Sequence, residues 1–269
     1  YYIYKATHEI DHHIFLLFDL FLPYKETLYT SFRDNIGKNA LVDIYFHHYD
    51  KDHYQKLIRG AIGHYTDYII MPVAGEGELI DWFDEMFKNE NIYILDLGLE
   101  QYGKKYPSVC QNFKKQWYEG LAEAEDKIRK YNQLVLKHKA VWSHAIQPHD
   151  REMIVGFRNF CRDKNIDSKI IDKEEELGIR KSECYFLTDD CDLVSVVKKA
   201  RQKKLTIGED IGLISHNDTP LKSICCHNGV ATISTDFEAM GKKIADMINN
   251  GGQKEHIENP SGLILRDSI

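Results

Sequence analysis

Short runs of consecutive apolar residues alternate along the chain with longer stretches in which apolar residues recur every three or four positions. The runs Ile14–Phe18, Leu41–Phe46, Tyr68–Pro72, Ile92–Leu97, Ala140–His144, Lys169–Ile171, Tyr185–Thr188 and Ile211–Ser215 predict strands. Most are apolar throughout, the pattern of strands covered on both faces in a parallel sheet. Between them, Phe113, Trp117, Leu121, Ala124, Ile128 and Tyr131 mark one helix face. Leu193, Val194, Val197 and Ala200 mark another, and Met240, Ile244 and Ile248 a third that stops at Asn249-Asn250-Gly251-Gly252. Repeated strand–helix units predict a doubly wound α/β architecture, and eight strands favour two similar lobes over one large sheet.

The chain has 269 residues, enough for two lobes of ~100–150 residues each. With 43% hydrophobic and 29% charged residues it has the balance of a globular protein, which excludes a disordered or collagen-like chain. The densest apolar run, Ile14–Leu22, is interrupted by Asp19 and falls short of the ~20 residues that span a bilayer. No basic n-region and small-residue cleavage site precede it, so a signal peptide is not expected. The net charge of −7 argues against this segment itself gripping nucleic acid. Six cysteines, Cys110, Cys161, Cys184, Cys191, Cys225 and Cys226, form no CxxC pair, so free thiols in a reducing compartment are expected.

In open α/β sheets ligands bind beyond the carboxyl ends of the strands. Those ends carry Asp19, Asp96, His144, Asp189-Asp190 and His216-Asn217-Asp218. Asp and Asn also cap helices and shape turns, so each position has a purely structural alternative. Gly75-Glu76-Gly77-Glu78 lacks the third glycine of a dinucleotide fingerprint. There is no Walker A sequence and no GxSxG elbow. Histidine pairs at His12-His13 and His47-His48 lack metal-ligand spacing, so neither a metal nor a cofactor is expected.

The stretch Leu205–Asp218, LTIGEDIGLISHND, resembles the sensor domains of LacI/GalR repressors, with their "vPeDv" turn, strand and "GyDd" segment. Gly229-Val230-Ala231-Thr232-Ile233, Met240-Gly241-Lys242-Lys243-Ile244-Ala245 and Leu263-Ile264-Leu265-Arg266-Asp267-Ser268 are similar to that family's "lTti", "mG..A" and "l..R.S" segments, in the same order. Tyr1-Tyr2-Ile3 is similar to the wing that closes a GntR-type winged helix. The resemblance implies a periplasmic-binding-protein-like fold of type I, with two doubly wound parallel-sheet lobes and three crossovers near 112–114, 232–234 and 259–261. The implied organisation is a linker remnant at 1–12 after a missing winged-helix domain, an N-terminal lobe of 13–113 plus 233–260, and a C-terminal lobe of 114–232 plus 261–269. A small sugar would sit between the lobes and bias their arrangement.

Matching motifs residue by residue, the resemblance implies ligand contacts at Asp96, Asp189, Asp190 and Asn217. Tyr24, Lys25 and Glu26 occupy the stretch equivalent to the family's "NPFF", and Gln111 a polar position beside the first crossover. The family's arginine three residues before a Gly-aromatic pair is Met153 here, before Gly156-Phe157, and Arg151 is the nearest substitute. The family aromatic after the seventh strand is replaced by Ile171-Asp172-Lys173-Glu174; Trp142, His144 or Tyr24 would supply stacking.

The function implied is the effector-binding and dimerising body of a cytoplasmic transcription regulator that senses a pentose or deoxyhexose such as arabinose or fucose. Operator DNA would be read by the absent head. An exported sugar-binding protein that feeds a transporter would share the fold. A carbohydrate-cleaving enzyme using Asp96, Asp189 or Glu26 as acid and base is the remaining class, and no turnover is expected.

Overall fold

A computed structural model describes residues 10–73, 78–99, 102, 105–138, 147–171, 177–252 and 255–269. The chain divides into two compact units, Tyr1–Asn112 with Asp236–Asn259, and Phe113–Thr235 with Pro260–Ile269.

The first unit holds a six-stranded parallel sheet. Its strands are β1 (His12–Phe18), β2 (Ala40–Phe46), β3 (Asp67–Ile70), β4 (Ile92–Asp96), β5 (Ser108–Cys110) and β11 (His256–Glu258), in the order β11-β5-β4-β3-β1-β2. The uninterrupted apolar run of β1 feeds two cores. Ile14, Leu16 and Phe18 pack with Leu28 and Phe32 of α1 (Pro23–Asn35) and with Met240 and Ile244 of α9 (Phe237–Asn249). Phe15 and Leu17 point the other way, with Tyr54 and Ile58 of α2 (Lys51–Ala61) and Phe83 of α3 (Glu78–Met86). Alternate side chains leave a strand on opposite faces, so both faces need apolar residues when both are covered.

The second unit repeats the plan. Here β6 (Gln133–Lys137), β7 (Ser168–Ile171), β8 (Glu183–Leu187), β9 (Gly212–His216), β10 (Ala231–Thr235) and β12 (Ser261–Ile264) take the order β12-β10-β9-β8-β6-β7. Only the β10–β12 pairing is antiparallel. Its described helices are α4 (Phe113–Glu123), α5 (Glu125–Ile128), α6 (Pro148–Asp163), α7 (Asp190–Lys203) and α8 (Pro220–Ile224). The architecture is the predicted α/β class with doubly wound parallel sheets.

Two readings need correction. The helix face at α7 is Leu193, Val196 and Ala200, while Val194 is half exposed. The strand at Gln133–Lys137 and those at β5, β10, β11 and β12 were missing from the strand pattern. The strand expected at Ala140–His144 lies outside the described residues.

The terminal "l..R.S" segment is structural. Arg266 grips Asp218 with both guanidinium nitrogens, at 2.8 and 2.7 Å. Burial opposes ionisation of Asp218, but the hydrogen bonds and charge of Arg266 outweigh it and hold the carboxyl below its ordinary range. Ser268 Oγ donates to Leu213 O at 2.5 Å and accepts from Ala231 N at 2.7 Å, stitching the tail to β9 and β10.

Candidate functional site

In the first unit the carboxyl strand ends gather buried polar groups. Lys25, in the first turn of α1, is 2% exposed and forms an ion pair with Asp19 just beyond β1. Its ammonium also lies 3.5 Å from Met71 Sδ. Burial pushes the Lys25 pKa down to about 8, and the charge of Asp96 resists that. Asp96 ends β4 in a left-handed backbone (φ 66°) and is buried, with Gln111 Nε2 donating to its Oδ1. Burial raises the Asp96 carboxyl, while Lys25 and Gln111 act against it. Asp19 accepts further hydrogen bonds from Leu20 N at 2.6 Å and from the Tyr49 hydroxyl. His47, beyond β2, is fully buried, hydrogen-bonded to Met71 O at 3.0 Å through Nε2 and accepting from Tyr49 N at 3.1 Å through Nδ1. This pairing fits the neutral ring with its proton on Nε2. Burial lowers the His47 pKa to about 3.

The second unit presents a different set. Asn217 follows β9 in a left-handed conformation (φ 55°) and is 3% exposed. Asparagine is among the few residues other than glycine that tolerate this backbone. Its N–H donates to Ile233 O at 2.9 Å, and its Oδ1 has no hydrogen-bond partner among the described residues. The adjoining His216 Nδ1 and Trp117 Nε1 are orphaned likewise, with ring centroids 5.4 Å apart. Trp117 also packs on Phe186 at 4.5 Å and on His138 at 6.0 Å. Burial lowers His216 to about 3 and His138 to about 4, so both rings are neutral. Asp150, in the first turn of α6, accepts from Gln147 N at 3.0 Å and lies 3.4 Å from His138 Nε2. Burial lifts its carboxyl to about 6, against the Gln147 hydrogen bond.

Lys25, Asp96 and Gln111, all named from sequence, are brought together in the first unit. Tyr24 stacks on Phe237 at 4.6 Å and is half buried, and Glu26 is exposed on α1. In the second unit Asp189 is the N-cap of α7, its Oδ1 accepting from Cys191 N at 2.9 Å and Asp192 N at 3.3 Å. Capping therefore falls to Asp189, while Asp190 is exposed and pairs with Lys222 at 2.9 Å. Arg151 is exposed in the first turn of α6, and Met153 is buried. His144 and Trp142 lie outside the described residues.

Sequence reasoning missed His47, Trp117, His138, Asp150 and Lys222 as contributors to these edges. His47 stood in a conspicuous histidine pair, and Trp117 read as one member of an apolar helix face. Lys222 gave no signal. In the second unit the neutral Trp117, His216 and Asn217 groups stand at the strand ends with polar atoms unpaired among the described residues, while Asp189 is engaged as a helix cap. Such a set suits hydroxyls, which donate and accept at once. No group of three or more His, Cys, Asp or Glu side chains able to hold a metal occurs among the described residues.

Residues 140–269 match the family profile of the periplasmic binding protein-like domain. No curated protein sequence matches the chain. Among solved structures, a LacI family transcriptional regulator from Silicibacter pomeroyi superposes with a TM-score of 0.75 at 12% identity, covering 96% of this chain and 98% of that one. A periplasmic binding protein/LacI transcriptional regulator from Alkaliphilus metalliredigens, complexed with D-xylulofuranose, gives 0.73 at 12% identity, covering 95% and 98%. The lac repressor dimer bound to operator and the anti-inducer ONPF gives 0.74 at 13%, covering 98% and 83%. The fold is therefore periplasmic-binding-protein-like of type I, shared with the effector-binding bodies of LacI-family regulators.

Proposed function

We propose that this chain is the effector-binding body of a transcription regulator and that its effector is a small neutral sugar. The carrying observation is Asn217, a buried amide whose Oδ1 is orphaned at the carboxyl end of β9 beside orphaned Trp117 and His216 nitrogens. An unsatisfied buried polar group costs ~1–3 kcal/mol, and a ligand hydroxyl recovers that cost on binding. In the first unit Asp96, Gln111 and Lys25 offer charged and amide partners to the same kind of ligand. The xylulofuranose complex of the Alkaliphilus relative supports a pentose-sized guest. A dimer that binds an operator completes the reading, with the lac repressor complex as its support; a winged-helix head rests only on the likeness of Tyr1-Tyr2-Ile3 to a GntR wing. All six cysteines are free, which favours a cytoplasmic regulator over an exported transporter component. A winged-helix or a signal-peptide coding sequence upstream of Tyr1 separates these two.

Calorimetric titration with L-arabinose, L-fucose and D-xylose tests the site. The wild type is expected to bind at least one of them. Asn217→Ala should weaken that sugar by roughly tenfold or more, the scale of one lost buried hydrogen bond, with an unchanged far-ultraviolet spectrum. Equal affinity in the variant would discard Asn217 as a contact.

A further inference from the structure

The turn beyond β9 contains a buried cation that the sugar reading does not use. Lys222, in the middle of α8, is 4% exposed, and its ammonium donates to His216 O at 2.9 Å and Asn217 O at 2.8 Å. Its third partner is Asp190 Oδ1, at 2.9 Å. An ammonium has three donors, and here all three are engaged. Lys222 holds the two successive carbonyls at the left-handed step that ends β9. Its third bond reaches the first residue of α7, next to the cap residue Asp189. Two adjacent strand-end turns, one carrying Asp189 and one carrying Asn217, are thus tied to a single buried charge.

We propose that Lys222 is the positioning residue of the sugar site, holding Asn217 in its left-handed conformation and fixing it relative to the β8–α7 turn, with Asp190 anchoring the ammonium. The proposal rests on Asn217 being a ligand contact, but its structural half is independent of any ligand. A side chain that reaches two successive carbonyls and a carboxylate needs three divergent donors on a compact head. Arginine's planar fork supplies the charge without that geometry.

Selective ¹⁵N-asparagine labelling gives the test. In Lys222→Met the Asn217 amide resonance and its three-bond HN–Hα coupling should move away from the left-handed value, while the asparagine resonances of the first unit stay in place. For whichever of L-arabinose, L-fucose or D-xylose the wild type binds, Lys222→Met should lose roughly tenfold in affinity, Lys222→Arg a similar factor, and Asp190→Asn about two- to fivefold. A merely structural lysine would lower the melting temperature without a change confined to Asn217, and Lys222→Arg would restore affinity. An unchanged Asn217 coupling in Lys222→Met, or in Asp190→Asn and Lys222→Arg should the methionine variant not fold, overturns the proposal. If the coupling moves yet Asn217→Ala binds sugar normally, Lys222 positions the turn and the assignment of Asn217 as a contact is what fails.

Discussion

At the scale of single residues the buried charges dominate the energetics. Lys25 and Asp19 are each at most 4% exposed at the side chain, so each carries a desolvation cost. Their mutual pairing offsets it, with help from Asp96 for Lys25 and from Leu20 N and the Tyr49 hydroxyl for Asp19. Lys25→Met removes one charge and strands the other. It should lower stability by ~3–5 kcal/mol, read from the urea midpoint of the wild type against the variant. Glu26→Gln, one position further on an exposed surface, should stay within ~0.5 kcal/mol. Equal effects would mean that the Lys25–Asp19 pair is not held as described. The same contrast explains what the sequence revealed of the site. Asp96 and Asn217 could be picked out because each closes an apolar strand run, and burial separates them from the half-exposed Asp189 and the exposed Asp190, which had the same signal. Lys25 and Glu26 were indistinguishable as neighbours on a helix start, and only packing buries one and exposes the other.

Among the elements, close helix approach is written in glycines. A Cβ on Gly241 of α9 would fall 2.3 Å from Leu28 O and 2.8 Å from Phe32 N of α1, both backbone atoms that cannot yield. Gly60, near the end of α2, has nothing within 4 Å of such a Cβ. Gly241→Ala should therefore destabilise by ~1–3 kcal/mol or more through overpacking, and Gly60→Ala should stabilise by ~0.5–1 kcal/mol through helix propensity. Thermal melts of the two variants would move in opposite directions; a shared direction contradicts the α1–α9 packing. Strands long enough to be uninterrupted apolar runs were readable from sequence. Those that escaped were short, as with the three-residue β5 and β11, or bounded by polar residues, as Leu134–Leu136 is by Gln133 and Lys137. The α7 face was mis-phased because the Val194–Val197 cluster of valines satisfies two helical registers, and burial alone selects Val196.

Across the whole chain the buried histidines set the response to pH. His47, His138 and His216 are neutral in the fold, with pKa values of about 3, 4 and 3 against an ordinary 6.5. Their contribution to stability is complete above pH 6.5 and is lost as pH falls toward 4 and then 3, at ~1.4 kcal/mol per pH unit for each ring. Asp150, raised to about 6, works oppositely: its contribution is present below about pH 4 and fades as pH rises through 6. Asp96, also raised by burial, acts in the same sense as Asp150, and three rings outweigh two carboxyls. The urea midpoint should fall steeply from pH 6.5 to 4.5, and a flat profile would contradict the burial of these rings. The alternation of strand and helix was enough to read the α/β class, since period alone separates it from other architectures. The carboxyl-edge networks were not readable, because Trp117, His138 and His216 meet only once three elements pack together.

Stabilisation by a neutral sugar bears most directly on function, because a ligand that binds only the folded chain raises its melting temperature with the logarithm of its concentration above Kd. Thermal unfolding at rising concentrations of L-arabinose, L-fucose and D-xylose, with sodium phosphate and glycerol as controls, makes that measurement. A rise that grows with the logarithm of concentration for at least one sugar, and none with the controls, is expected. No rise with any sugar, or the same rise with glycerol, contradicts the account.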